Sequence, residues 1–272
     1  MTSRGNGEDY KQHPNSEKEF EIVAYPKLLA EIRAAIGPDK LISAAVPGLE
    51  RDRISYTWTT IPKIYESIDF LNVMTYDLVN RRDNVTKHHS DLFESIGAIQ
   101  SYTDPAIYAR DLTFGLGFYI KWFKTAADET CDRVPAIGCR TELMEDPETG
   151  ADLGKAGAFS WHDQVPPELQ ESFERAMKHG VDDWQAGSLI GHCYLDKQER
   201  IFWSWDTPYS IARKLEKIFS FFNGHGHDKN LNDIGGVFAW GLGEDAPHFE
   251  HLKAVNKALE NWERSTFDHQ EL

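Results

Sequence analysis

Four continuous apolar runs separated by helical segments constrain the fold of this chain more than any other feature. Each run is short and mostly apolar, as in strands that a parallel sheet buries on both faces. One segment with helical periodicity precedes the first run, at 22–36, two lie between later runs, at 91–101 and 209–222, and another follows the last run. This alternation predicts a parallel α/β sheet. The runs are LISAAVPG (41–48), IDFLNVMTYDL (68–78), LTFGLGFYIKWF (112–123) and IGGVFAWGLGED (234–245).

The third and fourth runs are separated by far more residues than one crossover needs. The spacing predicts an inserted α+β subdomain, with a helix at 168–179 and strands near 157–161, 190–195 and 200–205. The chain then divides into a barrel part at 1–123, the insertion at 124–206, and a second barrel part at 207–272. A closed (β/α)8 barrel needs eight strands. Four core strands therefore predict a partial barrel.

Charge and composition exclude several classes of partner. Lysine and arginine number 29 against 44 aspartates and glutamates, a net charge of −15 that would repel nucleic acid and anionic membranes. No apolar run is long enough to span a membrane, and the N-terminus has no apolar core of a signal peptide. Cys131 and Cys139 could pair and leave Cys193 free, but the sequence does not decide this. No cofactor motif and no zinc spacing are present.

Aromatic, hydroxyl and carboxylate side chains follow the predicted strands. In parallel α/β folds the working residues lie at the C-terminal ends of strands. Flat apolar faces beside hydrogen-bonding groups suit a sugar, while the competing interpretation, with equal weight, is that these residues only cap the barrel rim. The residues are Met74, Tyr76 and Asp77 after the second run, Tyr119, Lys121 and Trp122 in the third, and Trp240, Glu244 and Asp245 in the fourth.

In this order, LISAAVPG, DFLNVMTYD, GLGFYIKWF and GGVFAWGLGED resemble barrel strands five to eight of glycoside hydrolase family 18 chitinases, of the fungal class V type. The stretches AGAFSWHDQV and FWSWDTPYSIARK resemble the insertion domain of that family and the segment leading back to its last strand. The resemblance covers nearly the whole chain. It implies the C-terminal part of a TIM barrel, a chitin or chitooligosaccharide partner, and an extracellular location for the intact protein.

The resemblance also implies a mechanism. Family 18 enzymes cleave β-1,4 N-acetylglucosamine linkages with retention, and the substrate's own N-acetyl group serves as the nucleophile. A glutamic acid in the motif D-x-x-D-x-D-x-E protonates the leaving oxygen. That motif is absent from these 272 residues. We therefore expect this chain alone to be inactive.

The remaining family positions match this chain residue by residue. Tyr76 would donate its hydroxyl to the acetamido carbonyl, and Asp77 would bond a sugar hydroxyl or the acetamido group. Met74 would line the pocket, Tyr119 would lie on its rim, and Trp240 would form its apolar floor. The family often has arginine at the position of Lys121, and lysine lacks the planar fork of a bidentate contact.

Other polar residues received weaker functional interpretations. His225, His227 and Asp228 show no third ligand, so a surface loop is the better account than a metal site. His88 and His89 were expected on the surface. Asp206 could flank a cleft or cap a helix, Trp203 and Trp205 were expected in the core of the insertion, and Glu244 and Asp245 were expected to be solvated or capping.

Three functions remain open from the sequence. The chain could be part of a chitinase, a non-catalytic N-acetylglucosamine-binding protein of lectin type, or the product of an incomplete gene model. A partial barrel also leaves open strand edges. We therefore expect the isolated chain to aggregate, to form a dimer that completes a barrel, or to be marginally stable.

Overall fold

The computed structural model describes residues 11, 13–103, 111–223 and 234–268. Within these residues, nine strands form two sheets. In chain order the strands are β1 (Ser43–Pro47), β2 (Phe70–Met74), β3 (Leu112–Gly117), β4 (Tyr119–Lys124), β5 (Ala156–Ser160), β6 (Val181–Gln185), β7 (Ser188–Asp196), β8 (Ile201–Trp205) and β9 (Gly236–Trp240). The helices are α1 (Phe20–Ile36), α2 (Ile61–Tyr65), α3 (Leu92–Gln100), α4 (Gln170–His179), α5 (Pro208–Asn223) and α6 (Glu250–Asp268).

The first sheet is parallel, in the order β1-β2-β3-β9. Its core is apolar and includes Val46, Leu71, Val73 and Phe114, each at most 1% exposed. The central strands β2 and β3 hold most of these buried residues, whereas β1 and β9 at the edges of the sheet are largely intermediate or exposed. Within the described residues, β1 and β9 each pair on one side only, so the sheet has two open edges.

The second sheet is antiparallel, in the order β5-β4-β8-β7-β6. Its strands β5, β7 and β8 and the helix α4 match the predicted insertion. The sequence analysis missed β6, which forms a tight hairpin with β7 around Ala186 and Gly187, both at positive φ. Trp203 and Trp205 are 0% and 3% exposed, which confirms their expected place in the core.

The prediction of one strand over 112–123 is wrong. The chain leaves the first sheet at Phe118, whose N–H donates to the Trp240 carbonyl at 2.8 Å. Tyr119–Lys124 then begins the second sheet. Both segments are almost fully buried, so the hydrophobic pattern carries no sign of the break. The division at 123 and 124 stays a prediction, and sheet membership favours a boundary near Phe118.

Individual residues explain where several helices begin or end. Gly37, at φ 80°, ends α1 in a conformation that favours glycine. Asp91 caps α3 by accepting the N–H groups of Phe93 and Glu94. Asp245 does the same for α6, accepting the N–H groups of His251 and Leu252 at 3.1 Å each, which confirms its expected capping role. None of the described helices combines the length and the apolar character that crossing a membrane requires.

Candidate functional site

The candidate site lies where the first sheet ends and the second begins. Met74 is the last residue of β2, with Tyr76 and Asp77 directly after it, and Trp240 is the last residue of β9. Strand β3 lies between them, and its Gly117 pairs in register with Trp240. Because parallel strands end at one edge of a sheet, these residues lie along the same edge.

Asp77 is the centre of the hydrogen bonding. The Tyr119 hydroxyl and the Lys121 ammonium both donate to its Oδ1, each at 2.8 Å. Lys121 also donates to the Val79 carbonyl at 3.2 Å. Asp77 adopts a positive φ of 57°, a conformation that costs energy outside glycine and that turns the chain sharply after the strand.

The position of Tyr119 and Lys121 corrects the sequence analysis. They do not end a strand of the parallel sheet but lie on β4 of the second sheet. Side chains alternate along a strand, so residues 119 and 121 face Asp77 together while Trp122 faces the other way. Trp122 instead packs with the apolar cluster around Phe159 and Trp203. The second sheet therefore supplies both donors to Asp77.

Charge sets the ionisation of Asp77. Its surroundings desolvate it and by themselves raise its pKa, but the Lys121 ammonium and the hydrogen bonds from Lys121 and Tyr119 outweigh that and lower the pKa below its usual value. About half of the side chain, 52%, is still accessible to solvent. Asp77 therefore presents an ionised carboxylate, with Oδ1 held by the protein.

Tyr76 and Trp240 differ in exposure. Tyr76 is 7% exposed and packs edge-on against Tyr119 and Phe238. Burial and the neighbouring Asp77 carboxylate raise the pKa of Tyr76, so its hydroxyl stays protonated and can donate a hydrogen bond. Trp240 is 60% exposed, an apolar face open to a ligand.

Glu244 lies closer to this rim than the sequence analysis expected. It is partly buried rather than fully solvated. Burial first, and then the carboxylates of Asp163 and Asp77, raise the pKa of Glu244. Its backbone carbonyl also accepts the N–H of Trp161, which ties the end of the parallel sheet to the insertion.

The expectation that His88 and His89 lie on the surface is wrong: they are 2% and 0% exposed. The insertion covers the loop that carries them. His88 Nε2 lies 2.9 Å from Asp183 Oδ2 on β6. The backbone N–H of His89 donates to Ser204 Oγ on β8 at 3.0 Å. A polar composition predicted exposure, and only the tertiary fold shows that a second sheet packs there.

Below the rim lies a buried ion pair that the sequence analysis did not identify. Lys214 of α5 is 0% exposed, and its ammonium lies 2.7 Å from Asp206 Oδ1. Lys214 also donates to the carbonyl of Ser90 at 2.6 Å, and Ser90 and Ser210 donate to Asp206 at 2.7 Å each. A signal existed: Lys214 lies on the apolar stripe of Ile211, Leu215 and Ile218.

This network also decides between the two roles that the sequence left open for Asp206, flanking a cleft or capping a helix. Burial by itself raises the pKa of Asp206, but Lys214 and the hydroxyl donors outweigh it and lower the pKa to about 2. Asp206 is 2% exposed and therefore does not line the cleft directly. It accepts from Ser210 in the first turn of α5, as a cap residue would, and it anchors the loop after β2 through Ser90.

The remaining candidates do not add a site. His225, His227 and Asp228 lie outside the described residues. Within the part of the chain that the structure describes, no group of three or more His, Cys, Asp or Glu residues could hold a metal ion. Cys131 and Cys139 form a disulfide and Cys193 is free and buried, which settles the pairing left open by the sequence.

Comparisons with known proteins agree on one family. The family model of glycosyl hydrolases family 18 matches residues 8–245. Chitinase 63 of Streptomyces plicatus is 22% identical over 260 residues, which cover 87% of this chain and 34% of that protein. The chain thus spans about a third of that relative's length.

Solved structures show the same fold. A structure of the Group II chitinase catalytic domain 2 of Ostrinia furnacalis, in complex with a chitooligosaccharide, has a TM-score of 0.62 and 21% identity, covering 87% of this chain and 60% of that one. Human YKL-39, described as a pseudo-chitinase with retained chitooligosaccharide binding properties, has a TM-score of 0.62 and 16% identity, covering 88% and 65%. These likenesses imply a TIM-barrel-like α/β fold.

Proposed function

The chain belongs to glycosyl hydrolase family 18, and from this premise we propose that it forms part of the substrate cleft of a chitinase-type glycosidase. The ligand is a polymer or oligomer of β-1,4-linked N-acetylglucosamine. The observation that carries the proposal is the group of Tyr76, Asp77 and Trp240 at the ends of β2 and β9, on either side of β3. They offer one hydroxyl donor, one ionised carboxylate and one exposed aromatic face to a single ligand.

Each residue has a chemical role in the proposed reaction. The acetamido carbonyl oxygen of the substrate attacks the anomeric carbon as the bond to the leaving oxygen breaks, which forms an oxazolinium ion. The Tyr76 hydroxyl donates to that carbonyl and stabilises the developing charge. Asp77 accepts a hydrogen bond from the acetamido N–H or a sugar hydroxyl. Trp240 contacts the apolar face of the sugar ring, and Met74 lines the pocket beside it.

Tyr119 and Lys121 act mainly through Asp77. Both donate to its Oδ1, so Oδ2 is the oxygen that remains for a ligand. Lys121 is 8% exposed and Tyr119 is 6% exposed, which leaves each little surface for direct sugar contact. We therefore assign them to the support of Asp77, with Tyr119 at the edge of the pocket.

Catalysis requires a proton for the leaving oxygen, and these 272 residues contain no D-x-x-D-x-D-x-E motif. This chain by itself should therefore bind the sugar without cleaving it. We identify the strands of this chain with barrel strands five to eight of the family. From them the chain would supply the contacts to the acetamido group and to the sugar ring. The acid would come from outside the 272 residues.

A second candidate is a non-catalytic binding protein of lectin type. The combination of a missing acid motif with retained Tyr76, Asp77 and Trp240 favours it. Human YKL-39, which has a similar fold, is described as a pseudo-chitinase with retained chitooligosaccharide binding properties.

The test uses the purified 272-residue chain. Isothermal titration with chitopentaose should show saturable binding, and a fluorogenic chitotrioside should show no turnover above buffer. Lack of binding by a folded chain would contradict the sugar cleft. Turnover would contradict the assignment of the acid to residues outside the chain. If intact relatives that lack the catalytic acid also bind chitopentaose, the lectin-type candidate is favoured over a chitinase segment.

The open strand edges carry a related proposal. A second copy, rotated by a twofold axis along the barrel, would place β1 of one copy beside β9 of the other at both openings. Eight parallel strands would then close. Light scattering after size exclusion should give a dimer or larger species. The repulsion between two chains of charge −15 should make it form more readily at high salt. A stable monomer at all salt concentrations would contradict this.

A further inference from the structure

His89 occupies an unusual position behind the site. Its side chain is fully buried, and its ring packs against that of Tyr119 with centroids 5.3 Å apart and planes tilted by 40°. Tyr119 in turn donates to Asp77. Neither ring nitrogen of His89 has a hydrogen-bond partner among the described residues. The ring therefore contacts the site through its face.

The backbone of His89 is held from two sides. Its carbonyl accepts the N–H of Leu78 at 2.9 Å, which closes the loop that leaves Asp77. Its N–H donates to Ser204 on β8 at 3.0 Å. The next residue, Ser90, joins the buried pair of Asp206 and Lys214. The ring is thus fixed to the insertion and to the loop after β2 at once.

Strand β3 leaves space for this contact. A Cβ at Gly117 would lie 3.0 Å from the Tyr119 ring and 3.1 Å from the His89 ring. Those distances are shorter than ordinary carbon contacts, so any side chain there would push the two rings. Glycine at this position lets His89 and Tyr119 stack against the end of the strand.

Burial keeps the ring uncharged. Desolvation lowers the pKa of His89 to about 3, although Asp206 and Asp77 act in the opposite direction. A neutral imidazole packs on a phenol ring as an aromatic side chain of similar shape would. The ring therefore contributes through its shape and packing.

We propose that His89 is a positioning residue, whose ring holds Tyr119 in place to orient Asp77 for the N-acetylglucosamine unit. The inference rests on the proposed function for its ligand. It goes beyond that function by assigning a role to a side chain that touches no sugar. The position of the inserted sheet therefore determines, through His89, how the Asp77 carboxylate is oriented towards the ligand.

The first experiment measures chitopentaose affinity by titration calorimetry. His89→Ala removes the ring and should weaken binding about tenfold, whereas His89→Phe keeps a ring and should restore most of that loss. His179→Ala is the matched control, since His179 is exposed and stacks only on Tyr194 of the insertion. Unchanged affinity in folded His89→Ala, or no rescue by phenylalanine, would overturn the proposal.

A double-mutant cycle separates positioning from general loss of stability. Tyr119→Phe removes the hydroxyl that donates to Asp77, so adding His89→Ala to it should cause little further loss of affinity. Additive losses would show that His89 acts by another route. They would overturn the assignment to Tyr119.

The second measurement needs no sugar. Burial first, and then Asp77, raise the pKa of Tyr119 well above its usual value, so Tyr119 does not ionise in the native chain at moderately alkaline pH. Absorbance titration of folded protein should show one additional ionising tyrosine in His89→Ala, and none in His89→Phe or His89→Ala/Tyr119→Phe. If the unsubstituted chain binds no sugar, the proposed function fails. The titration still decides whether His89 holds Tyr119, and an unchanged count would refute it.

Discussion

Replacing Lys214 by methionine should destabilise the fold more than any exposed substitution. The change keeps the length of the side chain but leaves the Asp206 carboxylate, 2% exposed, without its counter-ion. Removing one partner of a buried pair costs about 3–5 kcal/mol, because an uncompensated charge stays buried. Domains of ordinary stability have only about 5–15 kcal/mol in total. Lys214→Met should therefore lose a large part of it.

The pH dependence gives the sharper test. In the native chain Asp206 has a depressed pKa of about 2 against an ordinary value of 3.8. A depressed carboxyl pKa contributes stability above the ordinary value and loses it as the pH falls through the folded value, here on the order of 2 kcal/mol. In Lys214→Met only burial and the hydroxyl donors remain, and we expect burial to raise the folded pKa. The variant should gain stability relative to the native chain as the pH falls from 7 towards 4.

Equilibrium urea unfolding, followed by circular dichroism at pH 7 and pH 4, measures both effects. Lys217→Met on the same helix is the control, since Lys217 is exposed and should change stability by less than about 0.5 kcal/mol. If Lys214→Met does not fold at pH 7, Asp206→Asn/Lys214→Met removes both charges and should recover much of the loss. A loss below about 1 kcal/mol, or one that does not shrink at pH 4, would refute the reasoning.

Three further predictions follow from single residues. Trp240→Ala removes the 60% exposed aromatic face, and titration calorimetry should show chitopentaose affinity reduced about tenfold, while a similar affinity would contradict its role as the floor. Gly191→Ala would place a Cβ against the buried ring of His88, so the free energy of unfolding in urea should fall by about 3 kcal/mol, and a smaller loss would mean that the ring can move aside. Burial first, and the nearby Asp183, raise the pKa of the Cys193 thiol to about 12, so a thiol reagent at pH 8 should label it only after denaturation.

Much of the first sheet could be predicted from the chain. Continuous apolar runs and helical periodicity determined the order of strands and helices, because burial on both faces of a parallel sheet leaves a direct mark on composition. Strand ends then indicated Tyr76, Asp77 and Trp240, since the geometry of a parallel sheet brings those ends together. The same local pattern did not reveal where the third run breaks, because β3 and β4 are both largely buried although each one joins a different sheet.

What only the tertiary structure decided concerns pairs of residues that are distant in sequence. Tyr119 and Lys121 reach Asp77 from another sheet, the N–H of His89 donates to Ser204 on β8, and Lys214 of α5 donates to the carbonyl of Ser90. Apolar periodicity indicates which face of each segment is buried. It contains no information about which polar groups form hydrogen bonds or ion pairs with each other. These contacts depend on how the inserted sheet packs against the parallel one. The sequence alone therefore indicated which residues lie at the strand ends, and only the fold showed which residues hold them in place.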